Sequence, residues 1–258
     1  SVAFAFESAE EAEGAFLGEN DAPIYGRWGN PTVAALEAQI ASLEGGEAAV
    51  CTASGMAAVS GALLALLETG DHVVAPRALY GETARLLRER LPRLGIETTF
   101  VDALGPAAFA AAIGKTTRVV YLETPQNPTL RLTDIAEVAA LARSRGLVTI
   151  VDNTFATPWC QTPLALGADV VVHSMTKALS GHGDALGGVA IARRELRDRI
   201  ADTVVKGLGA VLAPLSAYLI GRGVRTLDVR MERACRSARA IAEWLGGRAG
   251  VARVHYPT

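Results

Sequence analysis

The sequence predicts an α/β protein whose mostly parallel sheet lies between two layers of helices. Two observations carry this prediction. Short β-rich runs recur from about residue 46 to 192, most of them separated by stretches with apolar residues at helical spacing. Runs such as VTIV (148–151) and VVV (170–172) are apolar on both faces, as strands covered on both sides must be. Repeated strand–helix–strand units of this kind fold into three layers, here around a mostly parallel seven-stranded sheet.

The elements follow in order. Asn30-Pro31-Thr32 opens a helix that runs to about Glu44, with proline at the first helical position, where its missing N–H costs nothing. The strands are read at 48–52, 72–76, 97–101, 118–123, 147–152, 169–174 and 187–192. Ala84, Leu87 and Leu91 mark one intervening helix, and Ile135, Val138, Ala139 and Leu141 mark another. Only a short glycine-rich stretch separates the last two strands. That is too little for a crossover helix, so the final strand is expected to run antiparallel. Residues 194–247 read as three helices, the last with Met231, Ala234, Ala238, Ile241 and Leu245 along one face. The closing apolar run 251–256 (VARVHY) reads as the start of another strand, and a chain ending there is expected to be cut short.

Composition excludes several functions. The 258 residues are half hydrophobic and 20% charged, with a net charge of −2, which argues against disorder and against the basic signature of a nucleic-acid binder. Cys51, Cys160 and Cys235 are scattered without CxxC spacing and the four histidines show no HExxH, so neither a disulfide frame nor a metal site is expected. No apolar run reaches the roughly 18 residues that span a bilayer, and residues 1–14 lack the basic start of a signal peptide. A soluble, cytoplasmic protein is expected. Of the 25 cations only three are lysines, Lys115, Lys177 and Lys206, so lysine chemistry has few candidates.

Open α/β sheets place their ligands beyond the carboxyl ends of the strands. Four such ends carry polar groups: Thr52–Met56, Glu123–Asn127, Asp152–Thr154 and Ser174–Lys177. Thr52-Ala53-Ser54-Gly55-Met56 follows a strand and opens a helix, where free N–H groups and the helix dipole suit a phosphate; Ser54 as an ordinary helix cap accounts for it equally well. Asp152 ends an apolar strand and needs a partner, either a cationic ligand nitrogen or the loop at Asn153-Thr154 that it could cap. Lys177 lies three residues beyond a buried strand, where desolvation makes an amine nucleophilic, with the hydroxyls of Ser174 and Thr176 beside it. Lys206 and Lys115 read as solvated. Gly114-Lys115-Thr116 is not a P-loop, since Phe109 stands where glycine is required, and Ser180, His182 and Asp184 lie too close on one loop to form a triad. An anion-binding helix start, a buried strand-end acid and a strand-end lysine together point to pyridoxal 5'-phosphate, which needs all three.

The sequence is identified as resembling the pyridoxal-phosphate enzymes of cysteine and methionine metabolism, the cystathionine γ-synthase-like group. The resemblance runs along almost the whole chain. It rests on Tyr25-Gly26-Arg27 with Gly29-Asn30-Pro31-Thr32, ALEAQIASLEGGEAAVCTASGMAA, Leu79-Tyr80-Gly81, Glu123-Thr124-Pro125-Gln126-Asn127-Pro128, Val151-Asp152-Asn153-Thr154, HSMTK, SGHGD and RGVRTLDVRMERAC. It implies a type I aminotransferase-like fold and a role for each of several residues. Lys177 would be the Schiff-base lysine and Asp152 the partner of the ring nitrogen. Ser54, the amides of Gly55 and Met56, and the hydroxyls of Ser174 and Thr176 would hold the phosphate. Tyr80 would stack on the ring and move protons, and Asn127 would contact the ring hydroxyl. Tyr25 and Arg27 would reach the phosphate of a neighbouring subunit, which implies an active-site dimer paired into a homotetramer.

The resemblance also implies three domains: 1–45 against the neighbouring subunit, 46–225 around the cofactor, and 226–258 as the start of a C-terminal domain. The remainder of that domain, with the arginine for the substrate carboxylate, and an N-terminal arm would be missing. The segments SLEGGEA, LALGADVVVHS, SGHGD and LGAVLAP are most similar to the methionine-cleaving γ-lyase branch, followed by cystathionine γ-lyase, γ-synthase and homoserine-ester sulfhydrylase. Glu82 stands where that first branch carries cysteine. A sulfur amino acid is the implied substrate, and a fragment that keeps the cofactor fold without turnover is the alternative from another class.

Overall fold

A computed structural model describes residues 2–20 and 22–257. Helices α1 (Ala9–Leu17) and α2 (Pro31–Glu44) precede the sheet. The cap of α2 is the one its sequence spells out: the Asn30 side chain accepts from Thr32 N–H at 3.0 Å, Pro31 is the first helical residue, and Gly45 stops the helix at φ 66°. There follow β1 (Ala48–Thr52), α3 (Gly55–Leu66), β2 (His72–Pro76), α4 (Gly81–Arg85), β3 (Glu97–Val101), α5 (Pro106–Ala112), β4 (Thr117–Glu123) and α6 (Ile135–Ser144). Then come β5 (Val148–Asp152), α7 (Thr157–Cys160), β6 (Val170–Ser174), β7 (Gly188–Ala192), α8 (Arg194–Ile200), α9 (Pro214–Val224) and α10 (Leu227–Gly246).

The seven strands form one sheet in the order β1-β7-β6-β5-β4-β2-β3. Every pairing among β2 to β6 is parallel, and β7 is antiparallel to both β1 and β6, as the short connection before it requires. β1 therefore runs with β6, and six strands present their carboxyl ends at one edge. Alternation along β4 shows the layering. Val119 and Tyr121 face a core shared with α3 and α8, while Val120 and Leu122 face one shared with α5 and α6. On that second side, α2 and α9 cover β1, β6 and β7 through Leu36, Ile40, Ala217 and Ile220. Each fully buried Leu or Ile contributes about 1.5–3 kcal/mol, so strands sealed on both faces make the sheet a rigid platform for its edge.

Three expectations need correction. The periodicity at Ala84, Leu87 and Leu91 does not make one regular helix: α4 continues as a π-helical turn (Leu86–Arg90) and a 3-10 turn (Leu91–Leu94). Leu87 and Leu91 are nonetheless fully buried, and Pro92 removes the N–H that a longer α-helix would use. Residues 251–257 form no strand, because no neighbouring strand offers them a ladder. On α10 only Leu227 and Met231 are buried, and Ile241, on the supposed inner face, is 57% exposed. No helix among the described residues is long and apolar enough to cross a membrane.

Candidate active site

The strand ends converge because of register. Thr52 and Ser174 both pair with Gly188, and Glu123 pairs with Asp152, so four polar termini stand along one edge. Two glycines make the approach possible. A Cβ on Gly188 would fall 2.0 Å from the Ser54 carbonyl oxygen, and one on Gly55 would fall 2.5 Å from Ser174 Cβ. The start of α3 is thereby laid directly against the ends of β7 and β6.

The edge opens into a cavity of about 560 Å³. Ser54, Gly55 and Met56 line one wall, Ser174, Thr176 and Lys177 a second, and Tyr80, Asn127 and Asp152 complete the enclosure. All the residues expected at the site thus meet in one place except Tyr25 and Arg27. These two do not line it. The Arg27 guanidinium lies 5.5 Å from the Tyr25 ring centroid and donates to the Lys206 carbonyl, beside a smaller pocket of about 80 Å³. Lys177 is exposed to the cavity, and Lys115 and Lys206 line other surfaces.

Local bonds fix each group. Ser54 is extended (φ −160°) and its hydroxyl accepts from Ala57 N–H at 3.2 Å, so it does cap α3 while sitting on the cavity wall. The Thr154 hydroxyl accepts from Ser174 N–H at 2.9 Å, tying β5's loop to β6. The Thr176 hydroxyl accepts from Gly187 N–H at 3.2 Å. Asp152 meets both readings left open for it. Oδ1 accepts from Thr154 N–H at 3.0 Å, closing the loop, and Oδ2 accepts from the Tyr121 hydroxyl at 3.4 Å while the carboxylate borders the cavity.

Glu123 lines the cavity beside Asp152, and its role was missed. Its place at a strand end was visible, but its partners are backbone N–H groups, which leave no mark in a sequence. Thr154, Phe155, Pro125 and Leu186 also line the cavity without any signal beyond proximity to a strand end. A buried network backs this edge on the opposite face of the sheet. His173 Nε2 lies 2.6 Å from Glu44 Oε1, Asn153 Nδ2 donates to the same oxygen at 2.8 Å, and Gln161 Nε2 donates to Asn153 Oδ1 at 2.8 Å.

The electrostatics call for a cation. Burial raises the Asp152 carboxyl above its usual range, against the bonds from Thr154, the nearby His173 and the Tyr121 hydroxyl. Burial, and then the charge of Asp152, pushes Glu123 up to about 7. Two desolvated carboxylates on one wall are relieved by positive charge in the cavity. The rest of the lining offers hydroxyls, the first turn of a twelve-residue helix and a lysine, a donor set for an anion and a carbonyl. These residues fit pyridoxal phosphate, a group with a protonatable ring nitrogen at one end and a phosphate at the other.

The chain is similar to known proteins along its length. The family described as Cys/Met metabolism PLP-dependent enzyme matches residues 1–258. An L-methionine gamma-lyase from Fusobacterium nucleatum subsp. polymorphum is 49% identical over 256 residues, 98% of this chain and 65% of its own length. A cystathionine gamma-lyase from Bacillus subtilis (strain 168) is 44% identical over 241 residues, 93% of this chain and 63% of its own. The crystal structure of cystathionine gamma-lyase from Lactobacillus plantarum complexed with L-serine superposes with a TM-score of 0.92 at 40% identity, covering 100% of this chain and 65% of that one. The chain thus spans about 65% of the length of the curated relatives it matches.

Proposed function

The chain belongs to the Cys/Met metabolism family of enzymes that depend on pyridoxal 5'-phosphate, and from that premise we propose that the whole protein eliminates the γ-substituent of a sulfur amino acid. Methionine is the first candidate, giving with one water methanethiol, 2-oxobutanoate and ammonia. The observation that carries this reading is the single cavity shared by Lys177, Asp152 and the first turn of α3. Relatives called L-methionine gamma-lyase, 44–49% identical over 98–100% of the chain, support the substrate.

The cofactor supplies an electron sink for the carbon next to the amino group. The remaining work falls to side chains of this chain. Asp152 holds negative charge at the ring-nitrogen end, and its burial makes that charge count. The N–H groups of Gly55 and Met56, with Ser54, Ser174 and Thr176, bind the phosphate. Asn127 would help hold the cofactor. Lys177 would carry it and would move protons between Cα and Cβ of the substrate. Tyr80 would hold the cofactor from the loop after β2 and would donate a proton to the departing sulfur. Residues 46–225 make up the cofactor domain and 226–258 begin a second one. Tyr25 and Arg27, in segment 1–45, serve the phosphate of a neighbouring subunit within a homotetramer.

Cystathionine is the second reading. Glu82 replaces the cysteine of the methionine-cleaving branch, and the similarity to a cystathionine gamma-lyase is close behind. Borohydride reduction of the full-length holoenzyme followed by peptide mapping tests the cofactor chemistry; label on Lys115 or Lys206 instead of Lys177 defeats it. Release of 2-oxobutanoate from methionine and from cystathionine then separates the two substrates, and failure on both defeats γ-elimination.

A further inference from the structure

Glu123 is the one charged side chain of the cavity to which the proposed chemistry gives no task. It ends β4, beside Asp152 at the end of β5, and is 6% exposed. Its two oxygens point to different loops. Oε2 accepts from the Tyr80 N–H at 2.9 Å, and Oε1 accepts from the Asn127 N–H at 2.8 Å. Tyr80 lies in the loop after β2 and precedes α4, a helix with no side-chain cap of its own. Asn127 lies in the loop after β4. These two loops carry the two residues read above as touching the cofactor ring.

We infer that Glu123 is a positioning residue that sets Tyr80 and Asn127 against the cavity by binding both of their backbone N–H groups at once. The inference rests on the proposed roles of Tyr80 and Asn127, and it extends them to the side chain that binds both of their loops. A carboxylate suits this task because both of its oxygens accept. A carboxamide of the same shape accepts through one oxygen and turns an NH2 group toward the other N–H. The titratable groups around Glu123 are Asp152 from β5, Tyr121 from its own strand, and Tyr80 and Lys177 across the cavity. Burial and the Asp152 charge disfavour its ionised form, and the two N–H bonds favour it. Both oxygens are taken by backbone donors, so the site uses two acceptors where burial alone would favour a neutral side chain.

Glu123→Gln in the full-length holoenzyme tests this, with hydrogen–deuterium exchange read on peptides covering 78–84 and 124–130. Losing one N–H bond to a charged acceptor speeds local exchange by about tenfold to a hundredfold. The expected result is that increase in at least one of the two peptides, unchanged exchange in β5 and β6, and an altered circular dichroism of the bound cofactor with Lys177 still trapped by borohydride. Unchanged exchange in both peptides overturns the inference. So does loss of protection throughout the sheet, since that marks general support and not local positioning. Glu123→Asp, which keeps the charge but falls short of both loops, replaces the Gln variant if that one does not fold. Failure of both variants to fold counts against the inference in the same way. Absence of label at Lys177 in the wild type would instead defeat the cofactor reading, and the exchange comparison would still decide whether Glu123 holds the loops.

Discussion

Asp152 and Glu123 end neighbouring strands in register and present two carboxylates to one cavity. Burial is the largest contribution that raises Glu123 from its ordinary 4.5 to about 7, with the Asp152 charge next. A folded-state value above the unfolded one means that the folded protein binds this proton more tightly. The stability so gained is complete below about 4.5 and is lost as pH rises through about 7. The difference corresponds to about 3 kcal/mol in the cofactor-free protein. Urea unfolding of cofactor-free wild type and Glu123→Gln across this range should show the wild type losing stability with pH more steeply than the variant, which keeps the raised Asp152. Parallel curves would contradict it. On the opposite face, Glu44 and His173 are both fully buried and share a 2.6 Å contact. Removing one partner leaves the other's buried polar atom without its hydrogen bond, and such an unsatisfied group costs about 1–3 kcal/mol. Glu44→Leu is therefore expected to lower the unfolding free energy by about that amount, measured by urea denaturation.

Strands carried the clearest sequence signal at the scale of elements. A run such as VTIVD, apolar until its last residue, declares both a buried strand and the polar group it delivers to an edge. That is why Asp152, Ser174 and the start of α3 could be placed in advance. Contacts that depend on tertiary pairing could not. Glu44 and His173 are 129 positions apart, and Glu123 reaches Tyr80 across 43 positions through a backbone donor. Amphipathic spacing on α10 likewise reports an apolar face without saying whether anything covers it. The glycine before α3's second residue makes a test at this scale. A Cβ on Gly55 would meet Ser174 Cβ at 2.5 Å, and neither α3 nor β6 can retreat without opening the core that joins them. Gly55→Ala should destabilise the fold by about 1–3 kcal/mol, as overpacking does. Inorganic phosphate is expected to stabilise the cofactor-free wild type thermally, and Gly55→Ala to weaken that stabilisation. Thermal unfolding with and without phosphate reads both effects.

The whole molecule has surfaces that its own described residues leave uncovered. Trp28 packs edge to face with both Phe16 and Tyr25, yet Phe16, Tyr25 and Trp28 remain 62%, 39% and 46% exposed. Arg27 lies within this group and outside the cavity that holds Lys177. If Tyr25 and Arg27 complete the phosphate site of a second subunit, a defect at Arg27 and a defect at Lys177 damage different cavities of the same dimer. Arg27→Ala alone should leave each cavity short of one phosphate contact, and Lys177→Ala alone should abolish the covalent link, so each homodimer is inactive or nearly so. A hybrid of the two concentrates both defects in one cavity and leaves the other intact. Random reassociation makes half the dimers hybrids with one working site of two, so mixing the variants equally should restore about one quarter of wild-type turnover. Co-refolding the full-length variants and assaying the mixture measures this directly. Activity no higher than the sum of the parents would mean that Arg27 acts on its own subunit or not at all.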